Sequence, residues 1–531
     1  MEKRALYAAL LSAAVLILWF VLFPPTPPQP VESGPAVVPP TAAVAAGSEA
    51  AGREEAAVTA GPGVQRGAGE ERFSLAGQGW TAVVSSLGGA VESLVLSEYR
   101  DDAGQPLEMV SAGAARPLSL GASGPWNDEP YVVERDGERL VLRWSDGAGS
   151  WVEKRLQAGK GAYGLEFEVE GGGRAVRDGV VVGSGRAVKQ ASAGGFGSFG
   201  GVVRVDGEFD RLAAGKLDVP KELRGTVQFA GAEDHYFLLA LLPEGTLEGV
   251  RLGGRKLGEL TVAEVVALGG SKGVKGTIYA GPKDQRILAG YGRGLDETLS
   301  FGFFGFLSVA FLSALRWING WAGNWGVAII VLTAAIRLLL FPLTHKSTVA
   351  MRRMQVVQPK MKAIQDRYKD RAKKDPNVRN RMNQEIMALY KQEGVNPMGG
   401  CLPLLVQLPI LWALYTVFAN AIELRHAPFF LWVNDLSIPD TLVTLSLGGF
   451  ALPLRPLALL MGASMFLQQK MAPQVGDPAQ RKIFMMMPII FTFMFYSFPS
   501  GLVLYWFVNN VLTIGQQVLT ERLMQRTAPA Q

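Results

Sequence analysis

The stretch TAAIRLLLFPLTHK, residues 333–346, places Arg337 inside a run that otherwise reads as membrane-spanning. An arginine at mid-bilayer costs at least ~2.5 kcal/mol on insertion scales, and such residues face a cavity or mark a functional path. The bland alternative is a side chain near the inner edge that snorkels to the headgroups. With Trp325 as an outer-interface anchor, Arg337 lies twelve residues on, about 18 Å deeper along a helix. Lys346 follows nine residues later, a further ~13 Å. Arg337 therefore starts in the inner half of the bilayer, too deep for a comfortable snorkel. Neither Asp nor Glu occurs from Trp325 to Leu343, from Cys401 to Asn420, or in the apolar parts of 450–520. A charge buried without a partner is strongly destabilising, so water is expected to reach it. Polar residues at helical spacing suit a wet cavity. Thr333 lies one turn before Arg337, and Tyr505, Asn509, Thr513, Gln516 or Gln517, and Thr520 recur every three or four residues. Gln407 interrupts another apolar run, and Gln468 and Gln469 end a third. Each taken singly also fits ordinary helix–helix hydrogen bonding; together they describe a hydrophilic groove.

Other chemistry has little to work with. The three histidines, His235, His345 and His426, are scattered, and Cys401 stands alone in an apolar run. That pattern supports neither a metal site nor a disulfide framework. A phosphate-binding P-loop and metal motifs are missing from the sequence, so no ATPase and no cofactor are expected.

The 531 residues are 48% hydrophobic, with a net charge of +5, and the apolar ones concentrate at the two ends. Ala5 to Phe23, preceded by Lys3 and Arg4, is nineteen residues long, close to a ~30 Å hydrocarbon core. Four prolines follow directly instead of a small-residue cleavage site, which favours an uncleaved anchor over residues 1–23 rather than a signal peptide. Residues 24–70 read as a flexible Pro/Ala/Gly linker. From 71 to 295 the pattern turns to strands. LEFEVE puts Leu165, Phe167 and Val169 on one face, and YVVERDGERLVLRW sets Asp136-Gly137 between two apolar arms. A large antiparallel β-sandwich outside the cytoplasm is expected.

Loop charge decides the topology. Residues 344–397 carry 13 Lys/Arg against 5 Asp/Glu, which places that loop in the cytoplasm. The apolar stretch Leu299 to Ile318 then cannot span, so 296–323 is expected as an interfacial or re-entrant helix with a weak polar face of Ser308, Ser313 and Arg316. Spans follow at about 324–343, 400–420, 448–468, 483–499 and 501–519, making six with the anchor and leaving both termini, including a short tail at 521–531, in the cytoplasm. Within the basic loop, Met354, Val357, Met361, Ile364 and Tyr368, then Val378, Met382, Ile386 and Leu389, recur at helical spacing. They predict an antiparallel helical hairpin whose seam is either a plain coiled-coil contact or one that also meets partners.

QPKMKAIQDRY, LYKQEGVNPMGGCLPLLVQLPILWALY, LRHAPFFLWVNDLS and FPSGLVLYWFVNN, with an arginine in the second span, resemble the YidC/Oxa/Albino membrane protein insertases. The sandwich between the first two spans resembles the Gram-negative bacterial YidC form. This resemblance implies a periplasmic β-supersandwich similar to sugar-mutarotase folds, and five core spans around a groove open to cytoplasm and lipid. It implies Arg337 as the groove arginine, with Thr333, Gln469, Trp506 and Thr513 lining it beside Gln407, Tyr505 and Asn509. Nascent membrane proteins, a Sec translocon, the ribosome and membrane lipids are the implied partners of a chain that works as a monomer in the bacterial inner membrane, with no nucleic-acid specificity of its own. The chain lacks a long basic tail after Arg526, so Met354, Met361, Lys362, Arg367, Lys373 and Lys374 of the hairpin are the expected contacts to substrate and ribosome. Two rival classes carry less. A secondary transporter would show internal repeats and paired broken spans. A carbohydrate-active enzyme would need acid–base groups around His235.

Overall fold

Alternating apolar residues build the first half of the chain into antiparallel sheets, as a period of two requires. The computed structural model describes residues 63–176, 178–186, 199–258, 260–270, 273–299, 301–368, 371, 375–395, 402–447, 450–471 and 478–527. The expected anchor over 1–23, most of the expected linker, and Cys401 lie outside the described residues. A nine-stranded sheet runs in the order Glu208–Ala213, Gly200–Val205, Val227–Glu233, Phe237–Pro243, Val274–Pro282, Gly164–Gly172, Trp151–Ala158, Arg139–Ser145 and Val132–Asp136. A four-stranded sheet of Lys221–Leu223, Gly249–Leu257, Leu260–Leu268 and Val180–Ser184, and another formed by Arg72–Gly77, Trp80–Ser85, Ala90–Arg100 and Pro106–Glu108, share one core with it. Leu165, Phe167 and Val169 all point into that core. The expected hairpin closes with Asp136 opposite Arg139, so the turn is Gly137-Glu138, one residue later than the sequence suggested, with Gly137 at φ 62°.

One core position is occupied by a lysine. Along Trp151–Ala158 the inward residues are Val152, Lys154 and Leu156, and Lys154 is fully buried. Its Nζ donates to Gly88 O at 2.7 Å, Leu118 O at 2.7 Å and Gly89 O at 3.1 Å, and lies 5.0 Å from the centre of the Tyr131 ring. Three acceptors match the three N–H bonds of an ammonium group.

Beyond the sandwich the chain becomes helical. Helix α1 (Gly305–Ala322) ends at Gly323, whose φ of 64° lets its N–H return to Asn319 O. Helix α2 (Trp325–Tyr368) continues unbroken for 44 residues, so the expected second span and the first arm of the basic hairpin are one helix. The second arm is α3 (Pro376–Gln392), capped by Asp375 with Pro376 in its first turn. Then come α4 (Leu402–Asn420), a two-stranded hairpin of Val443–Leu447 with Phe450–Leu454, α5 (Pro456–Met471), α6 (Pro478–Phe495) and α7 (Ser500–Thr527). The helix expected from about 448 therefore starts at Pro456. The apolar residues before it alternate on either side of Gly448-Gly449, which suits a hairpin. Among the described residues, Trp325–Tyr368 and Ser500–Thr520 are long and apolar enough to cross a membrane, and Leu405–Asn420 and Met485–Phe495 are shorter apolar helices.

The two halves meet through charge. Arg316 of α1 pairs with Asp284, at 3.3 Å, and with Glu423. Arg425 donates to Arg100 O at 2.7 Å and to Asp102 at 3.1 Å, and Ile422 is buried in the sandwich core. Two of the three polar residues expected on α1, Ser308 and Arg316, thus face inward rather than to water, whereas Ser313 is exposed and bonds Val309 O of its own helix. Ser308 bonds Ala413 O at 3.1 Å and Thr416 Oγ1 at 2.8 Å in α4, while Phe303, Phe306, Trp317 and Trp321 are exposed.

Lys154 makes the sandwich pH-sensitive. Burial pushes its ammonium down to about 7 from 10.5, so above pH 7 the folded state releases a proton that the unfolded chain keeps until about pH 10.5. Stability therefore rises with pH from about 7, a gain absent below that value, where both states are protonated. Hydrogen exchange of the 151–158 amides in the full chain should show greater protection at pH 9 than at pH 7, after correction for intrinsic rates. Lys154→Met should lose that rise and about 2–4 kcal/mol of protection, because buried carbonyls lose their donor.

Candidate functional site

The helical half reverses the usual arrangement of a globular protein. Leu338, Leu339, Leu405, Leu459, Phe466, Ile489, Phe493 and Val511 are exposed, whereas the polar residues lie between helices. Such outward apolar faces suit lipid as the surrounding solvent.

Helices α2 and α7 pack side by side, and their facing residues form the polar seam. Arg337 is half-buried. Its Nε donates to Asn509 Oδ1 at 2.6 Å, and Nη2 donates to Thr513 Oγ1 at 2.5 Å and to Asn509 O at 3.5 Å. Among the described residues no carboxylate joins it. The spacing of Asn509 and Thr513, one turn apart, lets one guanidinium span both. Near the cytoplasmic end of the seam expected from sequence, Gln516 Nε2 donates to Thr344 Oγ1 at 2.8 Å. On the opposite side of Arg337, Thr333 is buried and its hydroxyl donates to Ile329 O of its own helix at 2.6 Å. Tyr505, also buried, is hydrogen-bonded to Gln407 of α4.

The seam therefore gathers Arg337, Thr333, Asn509, Thr513, Tyr505 and Gln407. It does not gather Trp506, whose ring packs 5.8 Å from Phe491 and 5.0 Å from Phe495 on α6. One residue of helix turns it about 100° away from Tyr505. Gln469 is half-buried near the end of α5. Two polar positions went unread in the sequence. Thr344 lies seven residues after Arg337, two turns along the same face, and could have been found by that spacing. Asn510 bonds Ser464 of α5 at 3.0 Å; an asparagine beside the stripe gives no sign of facing another helix.

The hairpin uses Met354 and Met361 internally. Met354 and Val357 pack with Val395, and Met361 accepts from the Tyr390 hydroxyl at 3.0 Å. Lys360 pairs with Glu393 at 2.6 Å and Arg367 with Glu385 at 3.5 Å, while Lys362 is exposed. Its exposed apolar residues are Val356 and Met387 instead. Lys373 and Lys374 lie outside the described residues.

Hydrogen bonds to a charged donor contribute about 1.5–3 kcal/mol. Asn509→Leu should therefore destabilise the protein in detergent by about that amount, read as a lower thermal midpoint. Asn509→Gln should recover part of the loss, since it restores the acceptor at a different reach. Equal stability of the wild type and the leucine variant would show that water, not Asn509, satisfies Arg337.

The family model described as 60Kd inner membrane protein matches residues 317–527, and that described as YidC periplasmic domain matches residues 75–313. The Membrane protein insertase YidC of Pelobacter propionicus is 38% identical over 99% of this chain and 100% of its own length. The proteins of the same name in Syntrophus aciditrophicus and Geobacter metallireducens are 34% and 36% identical, each over 97% of this chain and over 99% and 98% of their own lengths. Full-length similarity of this degree, with both family models in the order of the two structural halves, shows that the chain belongs to the YidC family of membrane protein insertases, inner-membrane proteins with a periplasmic domain.

Proposed function

We propose that this chain inserts integral membrane proteins by giving the polar tail of a substrate a hydrated groove along the α2–α7 seam, with Arg337 as its positive site. A polar segment entering hydrocarbon loses its hydrogen bonds to water, which costs several kcal/mol per unsatisfied group. A wet notch in the inner leaflet shortens the dry path, and a cation there attracts an acidic tail. The substrate's apolar span then leaves sideways into lipid, a transfer worth about 25 cal/mol per Å² of apolar surface. The observation that carries this reading is that, among the described residues, Arg337 is held only by the neutral Asn509 and Thr513. Its charge is positioned without being neutralised.

The same reading assigns six spans with both termini in the cytoplasm, α3 and the end of α2 as a cytoplasmic hairpin that meets nascent chains and the ribosome, and cooperation with a Sec translocon. It places α1 in the outer interface, supported by its exposed Trp317 and Trp321. Single cysteines at positions 297 and 320, in a Cys401→Ser background, should both react with an impermeant thiol reagent added outside. Protection at 320 alone would mean that α1 spans.

The groove charge is tested by insertion of one substrate with its tail acids intact or neutralised. Arg337→Lys should retain most activity, because a lysine supplies the same charge on a flexible stem. Arg337→Ala should impair the acidic tail several-fold more than the neutral one, and Arg337→Glu should be worst, since like charges repel strongly where screening is poor. Asn509→Asp, which supplies the missing carboxylate, should mimic Arg337→Ala for acidic tails. A defect of equal size for both tails would remove the electrostatic part of the mechanism.

A further inference from the structure

A cleft of about 400 Å³ opens where the apolar part of α2 ends, and no residue of the polar seam lines it. One wall is a single face of α2, where Lys346, Val349, Ala350 and Arg353 follow each other at helical spacing; Gly394 and Val395, just after α3, form the other. Lys346 and Arg353 are both exposed, and among the described residues neither has an ion-pair partner. That sets them apart from Lys360 and Arg367 of the same hairpin, which are paired with Glu393 and Glu385. Val349 and Ala350 are half-buried and Val395 is buried, so the floor between the two cations is apolar. His345 adds an imidazole stacked on Phe341 at 5.9 Å, with Nδ1 buried and unpartnered.

We propose that this cleft binds the phosphodiester of an anionic membrane lipid, with Lys346 and Arg353 on the phosphate and the glycerol backbone against Val349, Ala350 and Val395. Two unpaired cations around an apolar floor match a ligand that joins a negative head to a hydrocarbon body. A volume of this size is typical of a small-molecule site, and basic pockets at the cytoplasmic ends of membrane helices take anionic headgroups. Lys346 lies three residues after Leu343, the last apolar residue of the span, so the cleft falls at headgroup level. That depth rests on the proposed topology, in which the hairpin is cytoplasmic. Lipid held here would hold the segment after α3 against α2 while leaving the Arg337 groove free.

The test is phosphatidylglycerol binding to the detergent-solubilised full chain, counted by native mass spectrometry, a readout independent of insertion. Wild type should retain phosphatidylglycerol in preference to phosphatidylcholine, and Lys346→Gln/Arg353→Gln should bind it about thirty-fold more weakly, from ~1 kcal/mol per cation. Arg379→Gln/Arg381→Gln, which removes the same charge from exposed positions of α3, should bind as wild type. Unchanged helical content by circular dichroism confirms that the variants fold. Equal retention by the Lys346/Arg353 variant would overturn the site. Displacement by millimolar inorganic phosphate would reassign it to a free anion, and displacement by an acidic substrate-tail peptide would reassign it to substrate; either overturns the lipid proposal. Loss of lipid binding with normal insertion, or the reverse, separates this site from the groove.

Discussion

A guanidinium that no carboxylate meets among the described residues governs the helical half of this protein. Had α2 carried Arg337 opposite an aspartate, the pair could have been closed off dry, with its charge cancelled. Asn509 and Thr513 supply oxygen atoms and no charge, so the field of the guanidinium extends past its own hydrogen bonds. The neighbouring helices follow from that. α7 has to present its polar stripe to α2 and its apolar side elsewhere, and Trp506 accordingly packs into the aromatic contact with Phe491 and Phe495. Leu338 and Leu339, the residues directly after Arg337, turn outward and are exposed, so the same turn of helix has a polar side and an apolar side.

The sandwich is tied to this bundle by interactions of a different kind. Arg316 bridges Asp284 and Glu423, all three largely buried, and Asp284 also caps the short helix Gln285–Tyr291 through the Arg286 and Ile287 N–H groups. A buried charged triad contributes little net stability compared with apolar packing, but removing one member leaves an uncompensated charge. It therefore fixes how α1 sits against the sandwich more than how firmly. Arg425, on the Arg100 carbonyl and Asp102, does the same for the loop after α4. The helical bundle and the periplasmic domain are thus joined through α1 and the loop after α4.

Periodicity made much of this legible from sequence. The alternation in Leu165, Phe167 and Val169 predicts a strand with one buried face, and the absence of acids in the apolar runs predicts that Arg337 must rely on neutral partners. The polar stripe expected on the last span contains those partners, Asn509 and Thr513, but its spacing does not single them out from Tyr505, Gln516 and Thr520. What stayed hidden depends on direction or continuity. Nothing local says that α2 runs on through Pro342 and Pro359 into the hairpin, because a proline in a helical pattern reads as a break. The apolar strands flanking Gly448-Gly449 look like part of a span, since short apolar runs of strand and helix share the same composition. Ser308 and Arg316 read as a solvent face, because a sequence does not reveal that α4 packs on Ser308, or that Asp284 of the sandwich half and Glu423 of the loop after α4 meet Arg316.

The claim on which this account stands is that the seam around Arg337 is wet. It is tested most directly by the alkylation rate of a cysteine placed there, in a Cys401→Ser background, with a small water-soluble maleimide added to inverted membrane vesicles. Thiols react as thiolates, which hydrocarbon does not support. Cysteine at Thr513 should react at least about ten-fold faster than cysteine at the lipid-facing Leu339, as expected when only one of the two thiols can ionise in water. Equal, slow reaction at both positions would mean that the seam is dry, that Arg337 is satisfied by Asn509 and Thr513 alone, and that no hydrated groove exists to receive a substrate.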